Sequence, residues 1–381
     1  MHLLRTWLVL FLAFLFSCSS ADTERHLESL PPASSNTPLS VIALGSCNSQ
    51  DRDQPLWREI LKNQPQLWIW LGDNIYGDTD DMRVLKAKYE KQLQQPDYQQ
   101  LVQNVPVIGT WDDHDYGRNN AGKEYKFKNQ SAQLFWDFMA EPLQSPRRKQ
   151  KGVYSAHTYG PPGQQVKVLL LDVRYHRDSL QGKEPTYHPN SKADILGETQ
   201  WRWLERELKN SKAQFHLIGS GLQIIANEHG YERWANFPKS RERLFNLIAK
   251  TKAANVILLS GDRHFAELSK ISWPGVPYPI YDLTTSGLTH YWMGGLVNEP
   301  NANRVGQMHD KLNFAVMRFH WDQTPAVVDF EIRGRNNELH QLVKVEYALP
   351  APKPDISKTN VGSQPLRKTS SSKTAPAPAK P

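Results

Sequence analysis

Between residues 40 and 264 short apolar runs alternate with stretches of helical periodicity. The runs are "SVIALGSC" (40–47), "LWIWLGD" (67–73), "VPVIGTWDD" (105–113), "VKVLLLDVR" (166–174), "FHLIGSG" (215–221) and "NVILLSGDRH" (255–264). Several are apolar at nearly every position, the pattern of strands covered on both faces. The periodicity predicts helices near 53–64, 80–95, 130–140, 197–209 and 238–250, the fourth with Trp201, Leu204 and Leu208 on one side. Later runs, "YPIYDLTTSG", "NFAVMRFHW", "AVVDFEIRG" and "HQLVKVEYA", predict antiparallel hairpin strands. Strands interleaved with helices, without an internal repeat, predict one α/β domain over 39–350 in which two sheets lie between helices.

Both ends depart from this pattern. "MHLLRTWLVLFLAFLFSCSS" has one cation, Arg5, and an apolar stretch too short for a mature membrane span, so residues 1–17 are expected to be an export signal. Its end, Leu15-Phe16-Ser17-Cys18, resembles the bacterial lipobox. That implies lipidation of Cys18 and an exported protein lipid-anchored at the cell envelope, on the outer membrane or periplasmic side of a Gram-negative cell. The alternative is an ordinary secretory signal with an incidental Cys. Residues 18–38 are a polar tether. Residues 351–381, rich in Pro, Ser, Ala and Lys, are expected to be disordered.

The formal charge of +7 points to nucleic acid only until it is located. The tail holds Lys353, Lys358, Arg367, Lys368, Lys373 and Lys380 against Asp355, a balance of +5, and Arg5 belongs to the leader; +1 is left for residues 18–350. A nearly neutral core without a recognisable nucleic-acid-binding module excludes that class. The chain contains 2 cysteines, Cys18 and Cys47, so lipidation of Cys18 leaves Cys47 as a lone thiol in an oxidising compartment.

The carboxyl ends of the runs carry the candidate chemistry: Cys47, Asp73, Asp112-Asp113-His114, Asp172 with Arg174, and Asp262 with His264. In open α/β sheets that edge is where ligands bind. Singly, each has a structural explanation: a turn at Gly72-Asp73, a helix cap at Asp112-Asp113, a buried small Cys47, a core His264. Collected at one edge, these carboxylates would repel one another without cations, so the recurrence implies metal.

In order, "GSCN", "WLGDNIY", "GTWDDHDYG", "LLDVRYHRD" and "LSGDRHFAE" resemble the PhoD-type alkaline phosphatases of the calcineurin-like metallophosphatase superfamily, across residues 40–290. The resemblance implies a four-layer α/β/β/α sandwich and hydrolysis of phosphate mono- or diesters at a site of two or more metals. It also implies that Asp73 bridges two metals and that Tyr76, Cys47 and His264 complete the first, which would explain the lone thiol. Asp113 and Asp262 are implied as ligands of the second, with Gln223 as a looser further oxygen donor. Phenolate, carboxylate and thiolate suit Fe³⁺, and oxygen donors suit Ca²⁺, another divalent metal being the alternative. His114 is similar to the catalytic His that protonates the leaving oxygen.

Arg174, just past a strand end, is placed to clamp two phosphate oxygens, unless it is a surface cation after a strand. Arg118 and His176 are weaker candidates of the same kind. "TTSGLTHYW" (284–292) offers His290 as a pocket-lining residue or forms a structural loop. The expectation is an exported, metal-dependent phosphoesterase acting as a monomer on a small ester, phospholipid, teichoic acid or extracellular nucleic acid. The rival is a phosphate- or phospholipid-binding lipoprotein on a degenerate site. A Ser-nucleophile hydrolase is disfavoured because no G-x-S-x-G occurs.

Overall fold

A computed structural model describes residues 36–292 and 299–350. The leader at 1–17, Cys18, most of the tether and the basic tail lie outside the described residues. The strands are β1 (Val41–Gly45), β2 (Leu67–Leu71), β3 (Val107–Thr110), β4 (Ser155–Tyr159), β5 (Val166–Leu170), β6 (Phe215–Ser220) and β7 (Val256–Ser260). They continue with β8 (Ala266–Ile271), β9 (Ile280–Thr285), β10 (Arg304–His309), β11 (Phe314–His320), β12 (Ala326–Arg333) and β13 (Leu339–Tyr347). One sheet has the order β13-β12-β11-β1-β2-β3 and the other β10-β8-β9-β7-β6-β5-β4.

A period of two is hidden inside the continuous apolar runs, because successive side chains leave a strand on opposite faces. In β2, Leu67, Ile69 and Leu71 join Ile42 and Leu44 of β1 in a core shared with Val168, Leu170, Leu217, Ile257 and Leu259 of the other sheet. Trp68 and Trp70 point the other way, packing with Trp57, Leu85, Tyr98 and Phe138 from the helices on that face. The Trp57 ring lies 5.2 Å from Trp68 and 5.3 Å from Trp70, and Trp70 Nε1 donates to the Tyr98 hydroxyl at 3.0 Å. On the second sheet Leu169, Ile218 and Leu258 face Trp201, Leu204, Leu208, Leu244 and Ile248 of the helices Gly197–Lys209 and Pro238–Thr251. Two sheets meeting in one core, each covered outside by helices, make the α/β/β/α sandwich. Truncating a wholly buried Trp such as Trp70 to Ala would cost about 3–5 kcal/mol.

The five helices expected from periodicity are present, as Trp57–Leu61, Met82–Leu93, Lys128–Phe138, Gly197–Lys209 and Pro238–Thr251. The helix Pro96–Asn104, with its proline in the first turn, was not anticipated. Nor were β4, β8 and β10. Strands β4 and β10 are the two edges of their sheet, partly polar and partly exposed, and so carry no apolar run. One expectation is corrected: β9, grouped with the hairpin strands, lies parallel to β7 on one side and antiparallel to β8 on the other. It is buried at every position, which is why its sequence did not reveal its neighbours' direction. Strands β11, β12 and β13 form the expected antiparallel set.

Candidate metal centre

Strands β1, β2 and β7 end by turning sharply, and the residues at the turns are the candidate donors. Cys47, Asp73, Asp262 and His264 have φ of 58°, 48°, 71° and 54°. Left-handed backbone costs a residue with a Cβ about 1–2 kcal/mol, and such strain gathers at functional sites. The turns are held by neighbouring main chain: Asn48 N donates to Asp73 O at 2.8 Å and Gly261 N to Gly221 O at 3.0 Å. Gly72 has φ +95°, and a Cβ there would meet the Asp112 Cβ at 2.5 Å. A Gly-Asp pair is therefore required at the end of β2: the glycine admits the end of β3, and the aspartate turns its carboxylate into the space between them.

One donor atom each from Cys47, Asp73 and His264 lie within 4.8 Å of one another; so do those of Asp73, Asp113 and His114, and those of Asp112, Asp113 and Asp262. Asp73 belongs to the first two groups and Asp113 to the last two. Cys47 Sγ and the Tyr76 hydroxyl each lie 3.4 Å from Asp73 Oδ2, and the hydroxyl is 3.0 Å from His264 Nε2. His114 N donates to Asp113 Oδ1 at 2.9 Å, while its ring Nδ1 lies 2.7 Å from Asp78 Oδ1. Asp112 caps the short helix Asp113–Tyr116 in a reciprocal box with Asp115, whose carboxylate also receives the Asn74 amide at 2.6 Å.

Cys47, Asp73, Asp112 and Asp113 are buried and Tyr76, His114, Asp262 and His264 partly so, and burial is the largest single influence on their titration. It raises Asp73 and Asp262 well above the carboxylate range, Asp113 and Asp112 adding to the rise at both. The Cys47 thiol is pushed up by burial, then by Asp73 and Asp262, and the Tyr76 hydroxyl by burial, then by Cys47 and Asp73. Burial lowers His264 to about 3, with His290 and His114 contributing. Burial would also lower His114, but Asp113, Asp73 and Asp78 outweigh it and hold the imidazole at about 11. Burial raises Asp112 to about 7 even against Arg174, and its Oδ2 has no hydrogen-bond partner. Anionic donors pressed together, with an orphaned carboxylate oxygen among them, fit bound cations.

Cys47, Asp73, Tyr76, Asp113, His114, Asp262 and His264 thus converge. His290 joins them, its ring 4.4 Å from His264 and 4.9 Å from Tyr76. The other candidates do not. Arg174 is wholly buried, donating from Nε to Asp112 Oδ1 at 2.5 Å and from Nη1 to Glu232 Oε2 at 2.7 Å, so the expected phosphate clamp is corrected to a support behind the carboxylates. Arg118 forms an exposed ion pair with Asp80, and His176 Nε2 lies 3.1 Å from the Lys151 carbonyl. Gln223 donates from Nε2 to Glu267 Oε1 and Thr284 Oγ1, both at 2.9 Å, while its buried Oε1 has no hydrogen-bond partner. Asp172 accepts from the main-chain N–H of Val153, Arg174 and Tyr175, organising the end of β5. Sequence reasoning missed Glu232, which sits in a patternless loop, and assigned no site role to Asp112 although its position was visible.

A family model described as PhoD-like phosphatase matches residues 42–292. Alkaline phosphatase D of Bacillus subtilis (strain 168) is 23% identical over 289 residues, 64% of this chain and 49% of its own length, so the chain spans about half of that relative. A solved structure of PhoD superposes with TM-score 0.64 at 18% identity, covering 84% of this chain and 74% of that one. A purple acid phosphatase from yellow lupin (Lupinus luteus) seeds matches with TM-score 0.56 at 11% identity, covering 82% and 54%. These structural likenesses show a common fold.

Proposed function

The chain belongs to the PhoD-like phosphatase family; from that membership we propose that it is a metal-dependent phosphoesterase, and from the apolar leader at 1–17 that it is exported. The observation that carries this reading is the chain of shared donors: Asp73 belongs with Cys47 and His264 and also with Asp113 and His114, and Asp113 in turn with Asp112 and Asp262. Cys47, Asp73, Tyr76 and His264 would hold one cation, and Asp73, Asp112, Asp113 and Asp262 a second. Thiolate with phenolate and carboxylate suits Fe³⁺, and an all-carboxylate set suits Ca²⁺ or another divalent ion. Cations held there supply Lewis-acid polarisation of the phosphoester and acidify water for attack.

The chain's own groups do the rest. Asp113, Asp73 and Asp78 favour the protonated His114 imidazole, whose Nδ1 lies 2.7 Å from Asp78 Oδ1, and its position beside the carboxylates suits it to give a proton to the departing oxygen. A positioned general acid contributes roughly 10²- to 10⁴-fold in rate. Arg174, locked between Asp112 and Glu232, keeps the β3 carboxylates in place and offsets part of their charge. No covalent phosphoenzyme is required. Lipidation of Cys18 would tether the enzyme to the envelope, where small esters, phospholipids, teichoic acid and extracellular nucleic acid are the accessible substrates.

Elemental analysis of the purified protein, together with turnover of p-nitrophenyl and bis-p-nitrophenyl phosphate before and after chelation, tests this reading. Bound metal, hydrolysis lost on chelation and recovery on metal return are expected, with a visible absorption band if the first ion is ferric. Full activity in a metal-free, folded protein would overturn the reading.

A further inference from the structure

Aromatic rings form a continuous file along one side of the donor cluster. The His114 ring lies 4.2 Å from Tyr76, Tyr76 4.9 Å from His290, and His290 4.4 Å from His264. Beyond the candidate donors the file goes on: Trp292 lies 5.5 Å from His264 and Tyr231 6.2 Å from Trp292, tilted by 37° and 39°. Trp292 N donates to the His264 carbonyl at 3.3 Å, which ties the indole's backbone to the site. Tyr231 is braced by the Arg263 guanidinium 4.3 Å from its ring, itself held by both oxygens of Glu299 at 2.9 and 2.7 Å.

Burial hides almost every large apolar side chain. Among the described residues the exposed ones are Val84, Leu143, Trp292, Leu339 and Leu342, so Trp292, 38% exposed, is the aromatic one. An indole presented to solvent at a metal site, with an anchored phenol beside it, is a preformed surface for a flat π system. It stands at the opposite end of the file from His114. A group stacked there is therefore not the one that leaves with the proton from His114 but a substituent that stays on phosphorus. A monoester has no such organic substituent; a diester does.

We propose that Trp292, with Tyr231 beside it, binds the retained ester substituent of a phosphodiester, and that this substituent is planar and aromatic, as an aryl group or nucleoside is. The inference rests on the phosphoesterase reading and narrows its substrate class. Stacking on an exposed ring favours a planar group by about ten-fold in binding, and cation-braced Tyr231 extends the surface without adding base specificity.

The test keeps the leaving group constant and varies what remains. The metal-loaded full chain is assayed with the p-nitrophenyl diesters of methyl phosphate, phenyl phosphate and thymidine 5′-phosphate, and with p-nitrophenyl phosphate. Wild type should show kcat/KM about ten-fold higher for the phenyl and thymidine diesters than for the methyl diester. In Trp292→Ala that ratio should fall toward one, and Trp292→Tyr should restore much of it. A purely structural loss would lower all substrates together and leave the ratio alone, which overturns the proposal. So does a wild-type ratio near one, or turnover of the monoester without the diesters, and both of these leave the phosphoesterase reading standing. Absence of turnover on every ester defeats that reading and this one with it. An advantage for thymidine but not phenyl would overturn the claim that planarity alone is recognised.

Discussion

Replacing Arg174 by Met separates a role in the fold from a role on the substrate. The guanidinium is fully buried, 2.5 Å from Asp112, 2.7 Å from Glu232 and 3.9 Å from Asp113. Methionine fills much of the volume but takes the guanidinium from Asp112 and leaves Glu232 with Arg177 alone. Breaking a buried ion pair by removing one partner costs about 3–5 kcal/mol, largely because the remaining charge is left desolvated. Glu232 keeps the buried Arg177, whose Nε lies 3.1 Å from its Oε1, and a cation held by Asp112 would offset that carboxylate, so part of this cost is relieved. The loss should then fall near the lower end, about 3 kcal/mol. For a domain of this size each kcal/mol moves Tm by about 2–4 °C, which gives a drop of about 6–12 °C. Calorimetry on the metal-loaded variant measures it, alongside kcat/KM on p-nitrophenyl esters. An unchanged Tm with a KM raised more than about ten-fold would refute this account and return Arg174 to the role of phosphate clamp.

Three further outcomes are expected from the same geometry. Asp73→Asn should retain its far-UV circular dichroism yet lose bound metal and reduce kcat by more than the roughly 10–100-fold that outer partners of metal ligands typically cost; preserved activity would place the shared carboxylate elsewhere. Gly221→Ala puts a Cβ 2.4 Å from Asp112 Oδ1, against a side chain that Arg174 prevents from yielding, so a loss of about 1–3 kcal/mol and lower metal content are expected, and a variant matching wild type in both would contradict the packing. Cys18→Ala should move the protein from the membrane pellet to the soluble fraction, and continued sedimentation would show that another element holds it.

Much of the site was legible because its residues close apolar runs. Cys47, Asp73, Asp113, Asp262 and His264 stand within four residues of a strand's carboxyl end, and His114 and Tyr76 lie four and five residues past theirs. Arg174 shows where that logic stops. It too stands just past a strand, but whether a cation there meets water or two carboxylates depends on Glu232, which is 58 residues away in a loop without periodicity.

Local pattern determined the layers: runs apolar on both faces must be covered twice, which demands two sheets with helices outside them. It also determined which residue types stand at the sheet edge, since chain order and strand length settle that without reference to anything distant. Only the tertiary structure decided which of those residues share a site, which pair away, that β9 runs beside β7, and that Trp292 faces solvent next to His264. The reason is physical. Burial and element type are locally encoded by hydrophobicity and periodicity, whereas strand neighbours, the partner of a charge and the exposure of a ring are set by segments that meet only once the chain has folded.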